Sequence, residues 1–542
     1  MRCINLVFIL MLLSSSIVYG QAINMKCTNN AARSWWDVQH YDLNLNIDTG
    51  TGYLKGTVII TAKVIGKAGD ALQIDLLEPL RINAITAAGK DGSDISFKPE
   101  AQNGVYIIKG DFESIIQDNQ FSLKISYEGI PQIAARPPWD GGLVRSRDTN
   151  GNPWLAMACQ GIGASVWFPC KDFQGDEPDK GMQLSMVVPA DLQMISNGRC
   201  LPNNERRSDG NLRWTWVVTN PINNYDITFY IGDYVHWADT LQGVKGPLSL
   251  DYYVLRQNET KAKKHFKVVK PMLQCFEAKL GAYPFYEDGY KLVDAPYLGM
   301  EHQSAVAYGN GYLLGYKGTD RSKSGIGLLF DFIIVHESGH EWFGNNITSY
   351  DKADTWIHEG FTTYTETIFA ECLLGKEKAF RYQQGKASII RNDKPVEGVF
   401  DACDEGSSDH YDKAAFMIHT IRMIMNNDTA FFGMLRSMNQ VYYHQIVSGK
   451  EIEAFVNHYS GKDFSLIFDQ YLRASEIPSL EIKYNKGLAS YRWKDCIAGF
   501  NMPVLIRQNG KYRWLQPTTK WQSIASGKGK IMVDKNFLIQ VK

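Results

Sequence analysis

Alternation of apolar and polar positions runs from Trp36 to about Trp237. Tyr41, Leu43, Leu45 and Ile47 are separated by single polar residues, Gly50-Thr51-Gly52 supplies a turn, and an extended run resumes over 57–64. A period of two lines one face of a strand with apolar side chains. The texture recurs over 104–109, 121–127, 182–188, 212–218 and 225–235, broken by Gly, Asn, Asp and Pro. It predicts a largely antiparallel β domain over 21–240. Beyond Asp239 the period changes. A strand is still expected over 248–255, but Phe266, Val269, Met272, Leu273 and Phe276 recur at helical spacing within 259–280. Further helices are expected over 354–375, from an Asp354 cap to a Gly375 stop, and over 408–425, giving a mostly helical domain over 241–477. Short alternating strands then return, with Trp493, Val504, Ile506, Tyr512, Trp514, Ile531, Val533 and Leu538 facing inward, and predict a small β domain over 478–542. The fold class is α+β and multidomain.

A chain of 542 residues exceeds what one hydrophobic core serves, in keeping with several domains. Its net charge of −1 gives no basic excess of the kind that nucleic-acid binding requires. Residues 1–20 read as a leader: Met1-Arg2 is positive, 4–13 is mostly apolar, and Val18-Tyr19-Gly20 offers a cleavage point. An exported protein, periplasmic or extracellular, is expected. The apolar run is too short to span a bilayer and no later stretch reaches that length, so no membrane span is expected in the mature chain. Loss of Cys3 with the leader leaves eight of nine cysteines, none in a CxxC pair. Some of them are expected to pair in an oxidising compartment, with partners the spacing does not assign.

The chemistry is concentrated in His336-Glu337-Ser338-Gly339-His340, followed after 18 intervening residues by Glu359. Residues four apart share one face of a helix, so His336 and His340 can offer two imidazoles to one metal ion. Glu337 then flanks the ion without binding it. Glu359, on a second helix, supplies a carboxylate as third ligand. Two histidines and a carboxylate leave one coordination position open, the catalytic form of a zinc site. Glu366 lies further along the stripe of Glu359 and Thr363, placed either to hold a ligand histidine or to pair helices.

With Glu359-Gly360-Phe361 as its context, this arrangement resembles the gluzincin peptidases related to aminopeptidase N and the leukotriene hydrolases, in a short bacterial-type form. Leu298-Gly299-Met300-Glu301-His302 stands where that family carries its GxMEN exopeptidase motif. Gln160 through Pro169-Cys170-Lys171-Asp172 resembles its stretch with a substrate-facing Gln, and Tyr411, after the acidic 401–409 loop, its catalytic Tyr. The resemblance implies a saddle-like β domain on a thermolysin-like zinc domain, then a small β-sandwich without the large C-terminal helical domain of longer relatives. It implies a zinc aminopeptidase with one ion, acting on peptides with a free N-terminus. Glu337 would be general base and acid, Tyr411 the oxyanion donor, and Gln160, Gly299, Met300, Glu301 and His302 the substrate-binding residues, with Glu301 facing the α-amine. Two departures stand in the exopeptidase motif, Leu298 for its first Gly and His302 for its Asn. A zinc endopeptidase, another zinc hydrolase, and a non-catalytic peptide-binding relative remain as alternatives.

Overall fold

The alternation of the early strands is realised as burial. In a computed structural model that describes residues 26–202, 205–526 and 529–542, Tyr41, Leu43, Leu45 and Ile47 all face the core of the strand Trp36–Ile47. The expected leader, 1–20, lies outside the described residues. Trp36–Ile47 pairs antiparallel with Leu54–Val64 and parallel with Met182–Pro189, within a sheet of nine described strands. The parallel pair is the departure from an all-antiparallel domain: these strands are far apart in sequence, and their joining crossover carries the other sheets of the domain. The cis peptides Glu78-Pro79 and Pro137-Pro138 also lie in this region.

The change of period marks a second unit. Tyr234–Gly243 and Gly246–Leu255 form a hairpin that opens ahead of the boundary expected at 240. Tyr290–Asp294 and Val306–Tyr308 extend it in parallel, and Gly299–Met300 closes the edge, making five strands. The last three strands were absent from the helical expectation. They are two to five residues long and buried on both faces, so they carry no alternation to read.

The helices that follow include α1 (Glu259–His265), α2 (Val269–Leu280), α3 (Phe332–Gly339), α4 (Trp356–Leu374), α5 (Lys376–Lys386) and α6 (Asp412–Met425). Gly375 ends α4 at φ 87°, as expected. Asp354 does not cap it: its carboxylate accepts from Trp356 Nε1 at 3.1 Å and from the Gly449 N–H at 2.7 Å, so it ties the helix start to the first residue of a distant helix, Gly449–Ser460. The helix expected over 408–425 is broken. A 3₁₀ turn covers Ser408–His410, and Tyr411 sits at the junction with ψ −82°.

From Ser479 two small sheets, of four and three strands, complete the chain. Their inward residues Trp493, Val504 and Ile506 join one continuous core with α2, α4 and α6, whereas the N-terminal β domain keeps a core of its own. Two disulfides, Cys27–Cys403 and Cys275–Cys372, link distant parts of the chain.

Candidate active site

The metal-binding motif ends its helix at the second histidine. Asp331 caps α3 by accepting from the N–H groups of Ile333 at 2.9 Å and Ile334 at 3.3 Å, which fixes the register that points His336 and His340 the same way. After His340 the chain leaves helical geometry at Phe343 and Gly344, the latter at φ 122°, a region open to glycine. That break turns the Phe343 carbonyl back toward the site, where it accepts from His340 Nδ1 at 3.0 Å and from Thr362 Oγ1 at 3.1 Å.

The first turn of α4 delivers Glu359. Its Oε2 lies 3.4 Å from His336 Nε2 and 3.3 Å from His340 Nε2. The three ligand atoms lie within 4.8 Å of one another, yet Glu359 Oε2 is buried without a hydrogen-bond partner. On His336, Nδ1 is occupied by Glu366 Oε1 at 2.9 Å, so both imidazoles turn Nε2 toward the same point. Burial pushes His336 down, but Glu359 and Glu366 outweigh it and carry the ring up to about 10. The pocket is therefore built around a positive charge. Two imidazoles, one carboxylate and an orphaned buried oxygen fit a zinc ion with an open position.

Glu366 is itself fixed. Tyr382 Oη donates to its Oε2 at 2.7 Å and Lys386 Nζ at 2.6 Å. Burial pushes this carboxyl up, but Lys386 and His336 hold it down to about 2. Of the two sequence readings, the histidine-holding one matches its contacts. Tyr382 and Lys386 were not singled out from sequence, although their i, i+4 spacing on α5 puts them on one face. Thr362, which supports His340, was also missed.

Residues 299–302 show period-two geometry at close range. Gly299 and Glu301 line the cleft, while Met300 and His302 point away. A Cβ on Gly299 would meet Glu337 Oε1 at 2.8 Å and Ile333 Cγ2 at 2.6 Å, so the glycine makes room for Glu337. Glu337 is buried, which pushes its carboxyl up to about 7 against the charges of His336 and His340. Glu301 Oε1 receives Gln160 Nε2 at 3.2 Å, and the same amide reaches Glu359 Oε1 at 3.3 Å. Burial also raises the Glu301 carboxyl. Ligand atoms of Glu301, Glu337 and His340 form a second group within 4.8 Å.

Met300 and His302 are corrected as substrate-binding candidates. Met300 belongs to the core of the β domain. His302 is fully buried, with Nδ1 2.6 Å from Tyr230 Oη, and burial pushes its ring down to about 3, so it is neutral. Neighbours of a cleft-facing residue on an extended segment must face the other way. Tyr411 does line the cleft, its ring centroid 5.9 Å from that of His336. Burial raises its phenol well above the usual range, so it keeps a proton to donate.

Two cavities meet at Gln160, Glu301, Glu359 and Tyr411. One, of about 200 Å³, lies beyond Glu301 and is lined by Tyr225, Tyr350, Lys352 and the Cys27–Cys403 disulfide. The other, of about 380 Å³, lies beyond Glu337 and is lined by Tyr316, Arg321 and Arg391. None of these lining residues carries a sequence signal, because the cleft assembles them from separate loops.

The Peptidase M1 N-terminal domain model matches residues 37–225, and the Peptidase family M1 domain model matches 265–471. Leukotriene A-4 hydrolase of Xenopus laevis is 23% identical over 481 residues, covering 84% of this chain and 74% of that protein. Aminopeptidase M1 of Arabidopsis thaliana is 22% identical, covering 93% of this chain and 56% of its own length. For aminopeptidase N of Homo sapiens the identity is 24%, with 61% of this chain and 34% of that protein covered. The chain thus spans from about a third to about three quarters of these relatives. A crystal structure of an M1 zinc metallopeptidase from Deinococcus radiodurans, a mutant bound to a Tyr-Ser-Ala substrate, shares the fold. It has a TM-score of 0.67 and 19% identity, and covers 84% of this chain and 99% of that one. With two models of a single family matched along most of its length, and with a His336, His340 and Glu359 cluster that fits a metal ion inside the second of them, the chain belongs to the M1 family of metallopeptidases.

Proposed function

We propose that the chain is a zinc aminopeptidase with one ion, held by His336, His340 and Glu359, that removes residues from peptides with a free N-terminus. The observation that carries the reading is the placement of Glu301. Its carboxylate lies within 4.8 Å of the ligand atom of His340 and of the Glu337 carboxylate, and consecutive Cα atoms are about 3.8 Å apart. An α-amine paired with Glu301 therefore leaves room for a single residue before the carbonyl that reacts. Relatives named as aminopeptidases point the same way.

A bound zinc ion would supply Lewis acidity toward a peptide carbonyl and would lower the pKa of water to about 7. Glu337, held near 7, is suited to take a proton from the attacking water and return it to the leaving amine. The protonated phenol of Tyr411 would donate to the oxyanion of the tetrahedral intermediate. Gln160 holds Glu301 in position, and Glu366 fixes the orientation of His336. Export to the periplasm or the exterior is part of this reading, supported by the leader-like residues 1–20 and by the two disulfides. Among the described residues no helix is long and apolar enough to cross a membrane.

The test compares Leu-Gly-Gly with its N-acetyl form, with zinc and after chelation. The free amine should be cleaved and the acetylated peptide at least about tenfold more slowly, since it would leave Glu301 buried and unpaired. Glu337→Gln should lower kcat by about 10²–10⁴. Equal rates on the two peptides would sink the aminopeptidase reading.

A further inference from the structure

Among the described residues five line both cavities: Gln160, Glu301, Glu359, Tyr411 and Trp139. The first four are buried or half-buried, and each already has a role in the site. Trp139 is the exposed one, with 56% of its surface in solvent. Single apolar side chains on a surface are ordinary, but this one stands at the mouth where the two chambers join. A peptide whose amine is held at Glu301 would pass its first peptide bond through that junction. The turn that carries Trp139 is braced. Arg136 Nε and Nη2 donate to the Asp140 carboxylate at 3.1 and 2.8 Å, and the Gly141 N–H donates to the Pro138 carbonyl at 3.0 Å. A Cβ on Gly141 would collide with Ile162, so the turn sits directly on the segment that follows Gln160. From there the indole reaches toward the catalytic domain. Lys317 Nζ lies 5.5 Å from its ring centre and 5.7 Å from that of Tyr316, a wall of the second cavity. Trp139, Lys317 and Tyr316 thus bridge the mouth from one domain to the other.

An indole offers a large, rigid apolar face at low entropic cost, and its π cloud accepts peptide N–H groups weakly. Contact of this kind does not depend on a side chain, because every peptide bond presents the same plane. We propose that Trp139 is a substrate-binding residue: its indole packs on the first peptide plane of the substrate, opposite the buried floor that carries His336, His340 and Glu359, and shields that bond from solvent. The proposal rests on the aminopeptidase reading and adds to it a contact made from the β domain. Glu301 then recognises the amine, and Trp139 the peptide bond beside it, whatever the first side chain.

The experiment uses Leu-Gly-Gly and Ala-Gly-Gly, with KM and kcat measured separately. Trp139→Ala should raise KM about tenfold for both peptides at similar kcat, since a ring on the peptide plane holds ground state and transition state alike. Trp139→Phe should recover most of that loss. Titration of Leu-Gly-Gly into Glu337→Gln, where turnover is suppressed, should move tryptophan emission to shorter wavelength as the exposed indole leaves water. The same titration into Glu337→Gln combined with Trp139→Phe should show no such shift. An unchanged KM in Trp139→Ala overturns the proposal. A loss confined to Leu-Gly-Gly overturns it as well, by moving the contact to the first side chain. Failure of the aminopeptidase reading, seen as no cleavage of either peptide with the emission shift intact, is thus separate from failure of the Trp139 contact, seen as a shift that is absent or that survives Trp139→Phe.

Discussion

The two histidine ligands are held by different means. His336 leans on Glu366, a charged group pinned by Tyr382 and Lys386 from another helix. His340 leans on the Phe343 carbonyl and the Thr362 hydroxyl, neutral groups supplied by the break after its own helix and by α4. The first arrangement places a buried ion pair behind the metal position, which raises the basicity of His336 and makes its orientation depend on three other side chains. The second is local and needs only that the helix stop where it does. A charged network is costly to break because each member is buried, whereas a neutral hydrogen bond costs about as much as one bond.

Glu366→Ala should give the largest effect. It leaves Lys386 fully buried with only the Asp412 carboxylate, 3.6 Å away, to answer its charge, and should destabilise the fold by about 3 kcal/mol in urea unfolding. In chelator competition it should weaken zinc binding by about 10–100-fold. Next in size is a pH effect. Glu366 sits at about 2 against an ordinary value of 4.5; with the folded value depressed, its contribution is full above pH 4.5 and is lost as pH falls toward 2. The stability gap between the unmodified protein and Glu366→Gln should thus shrink, by up to about 3 kcal/mol, between about pH 6 and about pH 2. Urea unfolding repeated across that range measures it, and a gap independent of pH would show that the carboxyl is not held charged. Thr362→Val should give the smallest change, about 1 kcal/mol, with zinc affinity altered less than by Glu366→Ala. If Thr362→Val weakened zinc as much as Glu366→Ala, the asymmetry between the two histidines would be wrong.

Legibility from sequence followed the range of the interactions. His336, His340 and Glu359 were readable because helical periodicity places them, and Glu366 because it continues the stripe of Glu359. The N-terminal β domain was readable where one strand face is buried and the other wet. The strands around 290–308 were not, since they are buried on both faces. Met300 and His302 were misplaced because a motif gives adjacency in sequence, while an extended segment sends neighbours to opposite sides. Arg321, Arg391 and Tyr225 were silent, for they reach the two cavities of the cleft from separate loops. Asp354 was read as a local cap, but its partner Gly449 is too distant for any local rule to find.

The Cys27–Cys403 bond limits how this enzyme can be dissected. It joins residues 376 apart in sequence and walls the cavity on the amine side of the cleft. Gln160 and Tyr225 come to the same cavity from the N-terminal domain, and Tyr411 follows Cys403 by eight positions. A fragment that begins after the N-terminal β domain would carry the zinc ligands with half of a substrate chamber. Modular transfer of the helical domain alone to another scaffold would move a metal site without its selectivity.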